Sequence, residues 1–390
     1  MESDRRKFIK IIGSSSLIYA AYGLMPGCTS SIKKSGGPYA GWKGPEKNIE
    51  DPRIWALSYA ILAPNPHNRQ PWTIELIGNN KIDIFIDKNR LLAATDPYNR
   101  QIVMGTGAFL EILKIAAAEK GFKTITEIMQ NSSDNKIDTT KVFAQVTFIN
   151  DKTVTADPLF KEILSRSTNR NPHDTRKSLP TDLKEKLILI QNKKININYT
   201  SDISDITKMT DLSLRAMEKE LRTYNAFKES VDLFRIGESE IEKNPDGLPI
   251  RGFMIETLNS MGLLDRASML DQKSSNFAKG LDTTLTPLKK SAAFLWITTE
   301  SNSRRDQVTA GAAYCRSQLF LNSLGITCHP VSQALQEYSE MNDLYLESRK
   351  LMLVNKNQTL QMWARVGYAE PTQKSARWPL NSFIKKNTNI

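Results

Sequence analysis

An α+β fold is the prediction for this chain, and three observations carry it. Apolar residues alternate over 72–76 and 81–86 on either side of Gly78-Asn79-Asn80, the pattern of a β-hairpin. Residues 99–120 and 305–324 are long apolar stretches with helical spacing. Strand-like and helix-like segments alternate along the chain but are not confined to adjacent parallel units, so helices around a mixed sheet are expected.

The elements follow in order. Residues 28–50 are rich in Ser, Gly, Pro and Lys and predict a flexible linker. Asp51-Pro52 is a helix N-cap with proline at the first helical position, and Ile54, Trp55, Leu57, Ala60 and Ile61 supply an apolar face. The hairpin follows, then the 99–120 helix with an internal Gly105-Thr106-Gly107, then an alternating strand over 142–149. That glycine pair lies inside a helix, with Leu110 where a third glycine would stand. It predicts a close approach of another helix rather than a dinucleotide loop.

A second cycle begins near Asp157. It predicts a short helix over 159–165, a loop over 166–180, a helix from 181, a strand over 195–199 and a long charged helix over 205–237. Residues 240–290 are the least regular stretch; a strand over 294–298, the 305–324 helix and a strand over 358–366 complete the chain. The order helix, strand, long apolar helix, strand recurs approximately, which divides the chain into 51–155 and 156–390.

Composition excludes several functions. With 390 residues, 40% hydrophobic and 24% charged, the chain can bury a large core and is not disordered. Three His and three Cys cannot supply a zinc-ribbon or iron–sulfur framework, so no metal site is expected and redox work would need an organic cofactor. No His stands near an acidic pair, which removes a Ser-His-Asp hydrolase. His173 and His329 are expected to be packing or surface residues, and Cys315 and Cys328 two unpaired, mostly buried thiols. Net charge is +11, but the Lys and Arg residues are dispersed rather than interleaved with aromatics, so no nucleic acid is expected as a partner.

At the N-terminus, Arg5-Arg6-Lys7-Phe8-Ile9-Lys10 precedes a serine-diluted apolar stretch too short to span a membrane. It resembles a twin-arginine export signal, which implies residues 1–27 as the signal, the twin-arginine translocase as a transient partner, and the periplasm or cell envelope as destination. Gly27-Cys28 resembles a lipoprotein processing site; lipid anchoring at Cys28 and ordinary cleavage nearby both remain open.

The most unusual stretch is Ala63-Pro64-Asn65-Pro66-His67-Asn68-Arg69-Gln70-Pro71-Trp72, two rigid prolines, amides and a guanidinium at a helix-to-strand turn. It resembles the A-P-S-x-x-N-x-Q-P-W signature of the nitroreductase family of flavin enzymes, departing at Asn65 and Pro66. Arg166-Ser167-Thr168-Asn169-Arg170 resembles the family's FMN-phosphate sequence, where guanidinium groups and a hydroxyl cradle the anion. Here it follows the ring-side loop instead of preceding it, which resembles the Acg branch, in which one chain imitates the family's dimer.

Asp96-Pro97-Tyr98-Asn99-Arg100 with Met104 to Ala108, Gly311-Ala312-Ala313 with the 325–333 loop, and Lys374 with Arg377-Trp378-Pro379 resemble further parts of that branch. Gln333 stands where many members have Gly. The resemblance implies a nitroreductase-like fold, a single-chain pseudo-dimer of two halves with one FMN. It places Pro64, Asn65, His67, Asn68, Arg69 and Gln70 at the ring and ribityl chain, Arg166, Thr168, Arg170, Lys374 and Arg377 at the phosphate, and Ser332 and Gln333 near flavin N5.

No side chain is implied as a catalytic acid or base. The implied function is an exported FMN-dependent oxidoreductase acting through N5, with a small-molecule electron acceptor and a membrane quinol or redox-partner protein as donor. The alternative is a non-catalytic flavin-holding protein with residues 240–290 as a lid.

Overall fold

The computed structural model describes residues 37–46, 48–131, 136–190, 194–262 and 264–385. The expected export signal over 1–27 and Cys28 lie outside the described residues. The class is α+β, with helices packed on two four-stranded antiparallel sheets.

Helix α1 (Pro52–Ala60) starts as its sequence dictates: the Asp51 side chain accepts from Arg53 N at 2.8 Å, and Pro52 fills the first turn, where no donor is needed. Arg53 also donates to the carbonyls of Gly78 and Lys81, which ties α1 to the hairpin turn between β1 (Trp72–Ile77) and β2 (Lys81–Ile86). Helix α2 (Arg100–Glu119) is long and apolar enough to cross a membrane, yet it is buried as a core helix. With β3 (Phe122–Ile128) and β4 (Ala144–Asn150) the first sheet has the order β1-β2-β4-β3.

Helix α3 (Leu183–Ile188) leads into the second sheet, ordered β5-β8-β10-β9, from β5 (Ile195–Thr200), β8 (Ala293–Thr299), β9 (Thr327–Pro330) and β10 (Thr359–Gly367). Between β5 and β8 lie α4 (Ile203–Arg222), α5 (Tyr224–Asp232), β6 (Phe234–Ile236), α6 (Gly237–Lys243), β7 (Leu248–Ile250), α7 (Phe253–Ser260), α8 (Arg266–Leu270) and α9 (Ser275–Leu285). Helix α10 (Arg304–Ser323) joins β8 to β9, and α11 (Asn342–Leu351) precedes β10.

The centre of the molecule is the crossing of α2 and α10. A methyl on Gly107 would overlap Val308 O, and one on Gly311 would overlap the backbone of Met104, so each helix rests a glycine on the other's main chain. The predicted close approach at the glycine pair is therefore observed. One core packs α1, α2 and the first sheet and recruits Cys315 and Leu319 from α10; the other packs α10 and the second sheet and recruits Met104 from α2.

Four expectations are corrected. The helix predicted over 205–237 breaks at Thr223, whose extended backbone (φ −81°, ψ 105°) turns α5 so that Phe227 and Val231 join Phe234 and Phe277 in a separate apolar cluster. The 240–290 stretch is not irregular but holds short helices around that cluster. Residues 37–44, within the predicted flexible linker, are folded: Ala40–Lys43 is a 3-10 turn, and the Trp42 indole donates to Ser375 O at 2.8 Å. The strands β3 and β9 and the helix α11 were not foreseen. Cys315 and Cys328 are free and buried, as expected, and burial pushes both thiols up to about 12.

Gly311→Ala is expected to destabilise the protein by about 1–3 kcal/mol or more, because its methyl meets backbone that cannot yield. Gly280→Ala in α9 meets nothing within 4 Å and should stabilise by about 0.5–1 kcal/mol. Urea denaturation of both variants checks the pair.

Candidate functional site

The 63–72 loop runs from the end of α1 into β1 with three non-glycine residues in the left-handed region: His67 (φ 48°), Asn68 (φ 53°) and Gln70 (φ 51°). Asparagine tolerates this conformation; His and Gln adopt it at a cost of about 1–3 kcal/mol each, so surrounding contacts must hold them. Asn65 Oδ1 accepts from Gln70 N at 2.7 Å and Asn65 Nδ2 donates to Ala63 O at 3.0 Å, closing the loop on itself. Asn68 Nδ2 donates to Ala376 O at 3.0 Å, and Gln70 Oε1 accepts from Trp378 N at 3.0 Å, pinning the loop to the C-terminal segment. Gly105 makes room from beneath, since a methyl there would stand 3.0 Å from Asn65 Cβ and 3.1 Å from Pro66 Cδ. Pro64 is half-buried at the start of the loop.

Residues 230–247 lie against the other side. His67 Nε2 is 2.9 Å from Ser230 Oγ, Gln70 Nε2 donates to Pro245 O at 2.8 Å, and Gly247 N donates to Asn68 O at 3.3 Å. Arg69 pairs with Asp246 at 3.4 Å and donates to Asn89 O at 2.5 Å. Asp246 also holds Arg235 at 2.6 Å and Arg90 at 3.5 Å. Burial pushes the His67 imidazole down to about 4, against the opposing pull of the Glu229 carboxylate, so it is neutral near pH 7.

Arg166, Lys374 and Arg377 converge at the end of α1. Arg377 is 4% exposed and spends all five N–H groups: on Ile61 O at 2.9 Å, Leu62 O and Ala63 O at 3.2 Å, Asn68 Oδ1 at 2.5 Å and Ala376 O at 3.0 Å. It thus satisfies the carbonyls just past the helix end and fixes the loop. Arg166, 2% exposed, donates to Leu62 O and Gln318 Oε1 at 3.0 Å each, and its Nε is buried with no partner. Lys374 donates to Arg166 O at 2.8 Å and to Ser165 O.

Among the described residues no carboxylate pairs with any of the three. Burial, then the charges of Arg166 and Arg377, push Lys374 down to about 8, and burial with Arg166 holds Arg377 well below its usual range. Trp42 lies over the three cations, its ring centroid 5.5 Å from Arg166, 5.3 Å from Arg377 and 4.9 Å from Lys374.

Other expected residues are placed differently. Thr168 is half-buried between Arg166 and the exposed Arg170. The Arg170 charge acts on His67, His329 and Arg365. Ser332 exchanges hydrogen bonds with the Trp363 backbone, at 2.9 Å to its carbonyl and 3.0 Å from its amide. Gln333 and Gln336 face Glu220, a buried carboxyl on α4 whose Oε2 has no hydrogen-bond partner. Burial pushes Glu220 up to about 7. A groove of about 660 Å³ opens beside the loop, lined by Arg69, Tyr98, Thr223, Glu229, Glu337 and Tyr338.

Sequence reasoning missed Trp42, Glu220 and Ser230, and took Asp246 only as part of the 240–290 lid candidate. The only available signals were an aromatic residue within a Gly-Pro-rich stretch and a carboxylate in a charged helix, neither of which separates a site from an ordinary surface.

No family model matches the chain. Over 79 residues it is 35% identical to a Mycobacterium tuberculosis protein named "Putative NAD(P)H nitroreductase acg", a match covering 20% of this chain and 24% of the relative. Over 171 residues it is 23% identical to an uncharacterized protein of the same organism, covering 40% and 48%. The chain thus spans about a quarter to a half of the length of these relatives. Among solved structures it is similar to a nitroreductase-like family protein from Bacillus cereus, at 12% identity and TM-score 0.33, covering 60% of this chain and 98% of that one. It is also similar to an FMN-dependent nitroreductase from Mycobacterium smegmatis in complex with NADPH, at 16% identity and TM-score 0.32, covering 57% and 90%.

The Glu220 carboxyl gives a pH test. Its folded pKa of about 7 lies above the ordinary 4.5, so the folded chain keeps a proton that the unfolded chain releases. Its contribution is full below pH 4.5 and is lost as pH rises through 7. Glu220→Gln is expected to flatten this loss, about 1–3 kcal/mol between pH 4.5 and 7.5, in urea denaturation curves. An unchanged pH dependence would show that the carboxyl is not held protonated.

Proposed function

We propose that this chain is an exported FMN-dependent oxidoreductase of the nitroreductase family, built as a pseudo-dimer of two halves around one flavin. The observation that carries the reading is the cluster of Arg166, Lys374 and Arg377, charged, buried or half-buried, and without a carboxylate partner. Such a cluster is costly unless an anion completes it. The unpartnered Arg166 Nε and the ammonium hydrogen that Lys374 has left fit a phosphate group. Arg377 has no donor left and acts by holding the 61–68 backbone.

When bound, FMN supplies electron or hydride transfer through its ring. The chain's own work is positional. The left-handed backbone at His67, Asn68 and Gln70 faces its amides and carbonyls in directions an ordinary loop cannot, and Arg377, Ala376 and Trp378 prevent it from relaxing. Arg170, whose positive charge acts on His67 and His329, is assigned with Thr168 to the phosphate. Ser332 and Gln333, fixed by Trp363 and Glu220, are assigned to the N5 side.

The groove beside Arg69 is of a size suited to small molecules and gives an electron acceptor a place next to the loop. This favours turnover over flavin storage, although residues 244–247 rest on the loop in the manner of a lid. With a twin-arginine signal, the protein would work in the cell envelope, anchored by lipid if Cys28 is modified. Its electrons would come from a membrane quinol or a redox-partner protein.

The purified full chain is expected to show flavin absorbance or to acquire it from FMN. Arg166→Ala combined with Lys374→Ala should weaken FMN binding by about 10²–10³-fold while leaving riboflavin, which lacks the phosphate, within about threefold. Equal losses for both flavins in a fluorescence titration would contradict the phosphate assignment.

A further inference from the structure

The cation cluster is not bare. Trp42 belongs to a 3-10 turn whose flanks are anchored on the same elements: Pro38 O accepts from Arg377 N at 2.7 Å, Tyr39 OH accepts from Arg251 at 2.8 Å, and the Trp42 indole donates to Ser375 O. The π face of an indole is the electronegative part of a neutral side chain, and it lies over three cations that have no carboxylate partner among the described residues. Gly41 lets this turn sit close, since a methyl there would stand 3.3 Å from Leu62 Cδ2.

We propose that Trp42 is the resident occupant of the anion site, and that a phosphate-bearing ligand enters by displacing the 38–44 strap from Arg166, Lys374 and Arg377. The proposal rests on the phosphate assignment made above and adds to it a residue from outside both flavin motifs. It follows that the strap competes with the ligand: the ring supplies, weakly and reversibly, the negative potential that a phosphate supplies strongly. Residues 38–44 are then a working part of the site rather than a spacer.

The test uses the full chain and three ligands: inorganic phosphate, FMN and riboflavin. Trp42→Ala is expected to bind phosphate and FMN with an association rate raised about tenfold and with tighter affinity, whereas Trp42→Phe, which keeps an aromatic face, stays near the wild-type protein. In the wild-type protein, phosphate should change tryptophan emission as Trp42 leaves the cations, and the Phe variant should lack that change.

An unchanged rate or a weaker affinity in Trp42→Ala overturns the proposal, and so does an emission response equal in wild type and Trp42→Phe, a readout that survives if the Ala variant fails to fold. The two readings fail separately. If phosphate moves Trp42 but no flavin binds, the flavin assignment falls and the strap stands. If FMN binds while emission and rates are unaffected by Trp42, the strap falls and the flavin assignment stands.

Discussion

Backbone-to-backbone contact between α2 and α10, at Gly107 against Val308 and at Gly311 against Met104, sets the position of everything else. Each helix is the central helix of one sheet's core, so this crossing fixes the two sheets relative to each other. Gly105, half a turn before Gly107, extends the same logic outward: the absence of a side chain lets Asn65 and Pro66 settle on α2. A glycine pair that costs a helix about 1 kcal/mol per residue is thus repaid by close packing on one side and a seated loop on the other.

The loop is strained, and its strain is held by polar contacts from far along the chain. Arg377 spends its whole guanidinium on carbonyls and on Asn68, while Gln70 bridges Trp378 and Pro245. Fixing a backbone this way demands buried positive charge, and among the described residues no carboxylate answers it. The cluster at Arg166, Lys374 and Arg377 is left to carbonyl dipoles, the amide oxygens of Gln318 and Asn68, and the Trp42 ring. The contrast with Asp246 is instructive: there one carboxylate, 9% exposed, serves Arg69, Arg90 and Arg235 together.

Much of the fold was legible because it depends on local pattern. Asp51-Pro52 names a helix start in any context, alternation over 72–86 names a hairpin, and helical apolar spacing over 99–120 and 305–324 names two long helices. The short strand β9 escaped because four residues carry too little periodicity, and the break at Thr223 because extended backbone at one residue leaves no trace in composition. The loop residues 64–70 were legible as a motif, but the distant contacts that hold them were not: Arg377, expected at a phosphate, gives its N–H groups to Ile61, Leu62, Ala63, Asn68 and Ala376.

What belongs to the sequence alone is the α+β class, the main elements, the scarcity of His and Cys that argues for a borrowed cofactor, and the motif residues. These are properties of neighbours along the chain or of bulk composition, which need no knowledge of the fold. Tertiary structure decided the rest. Trp42 lies over Arg377 across more than three hundred residues, and Glu220 meets Gln333 and Gln336 across more than a hundred. Whether a buried charge is paired, capped or left open depends on which distant groups reach it. Burial and long-range contact, unlike periodicity, are created only when the chain closes on itself.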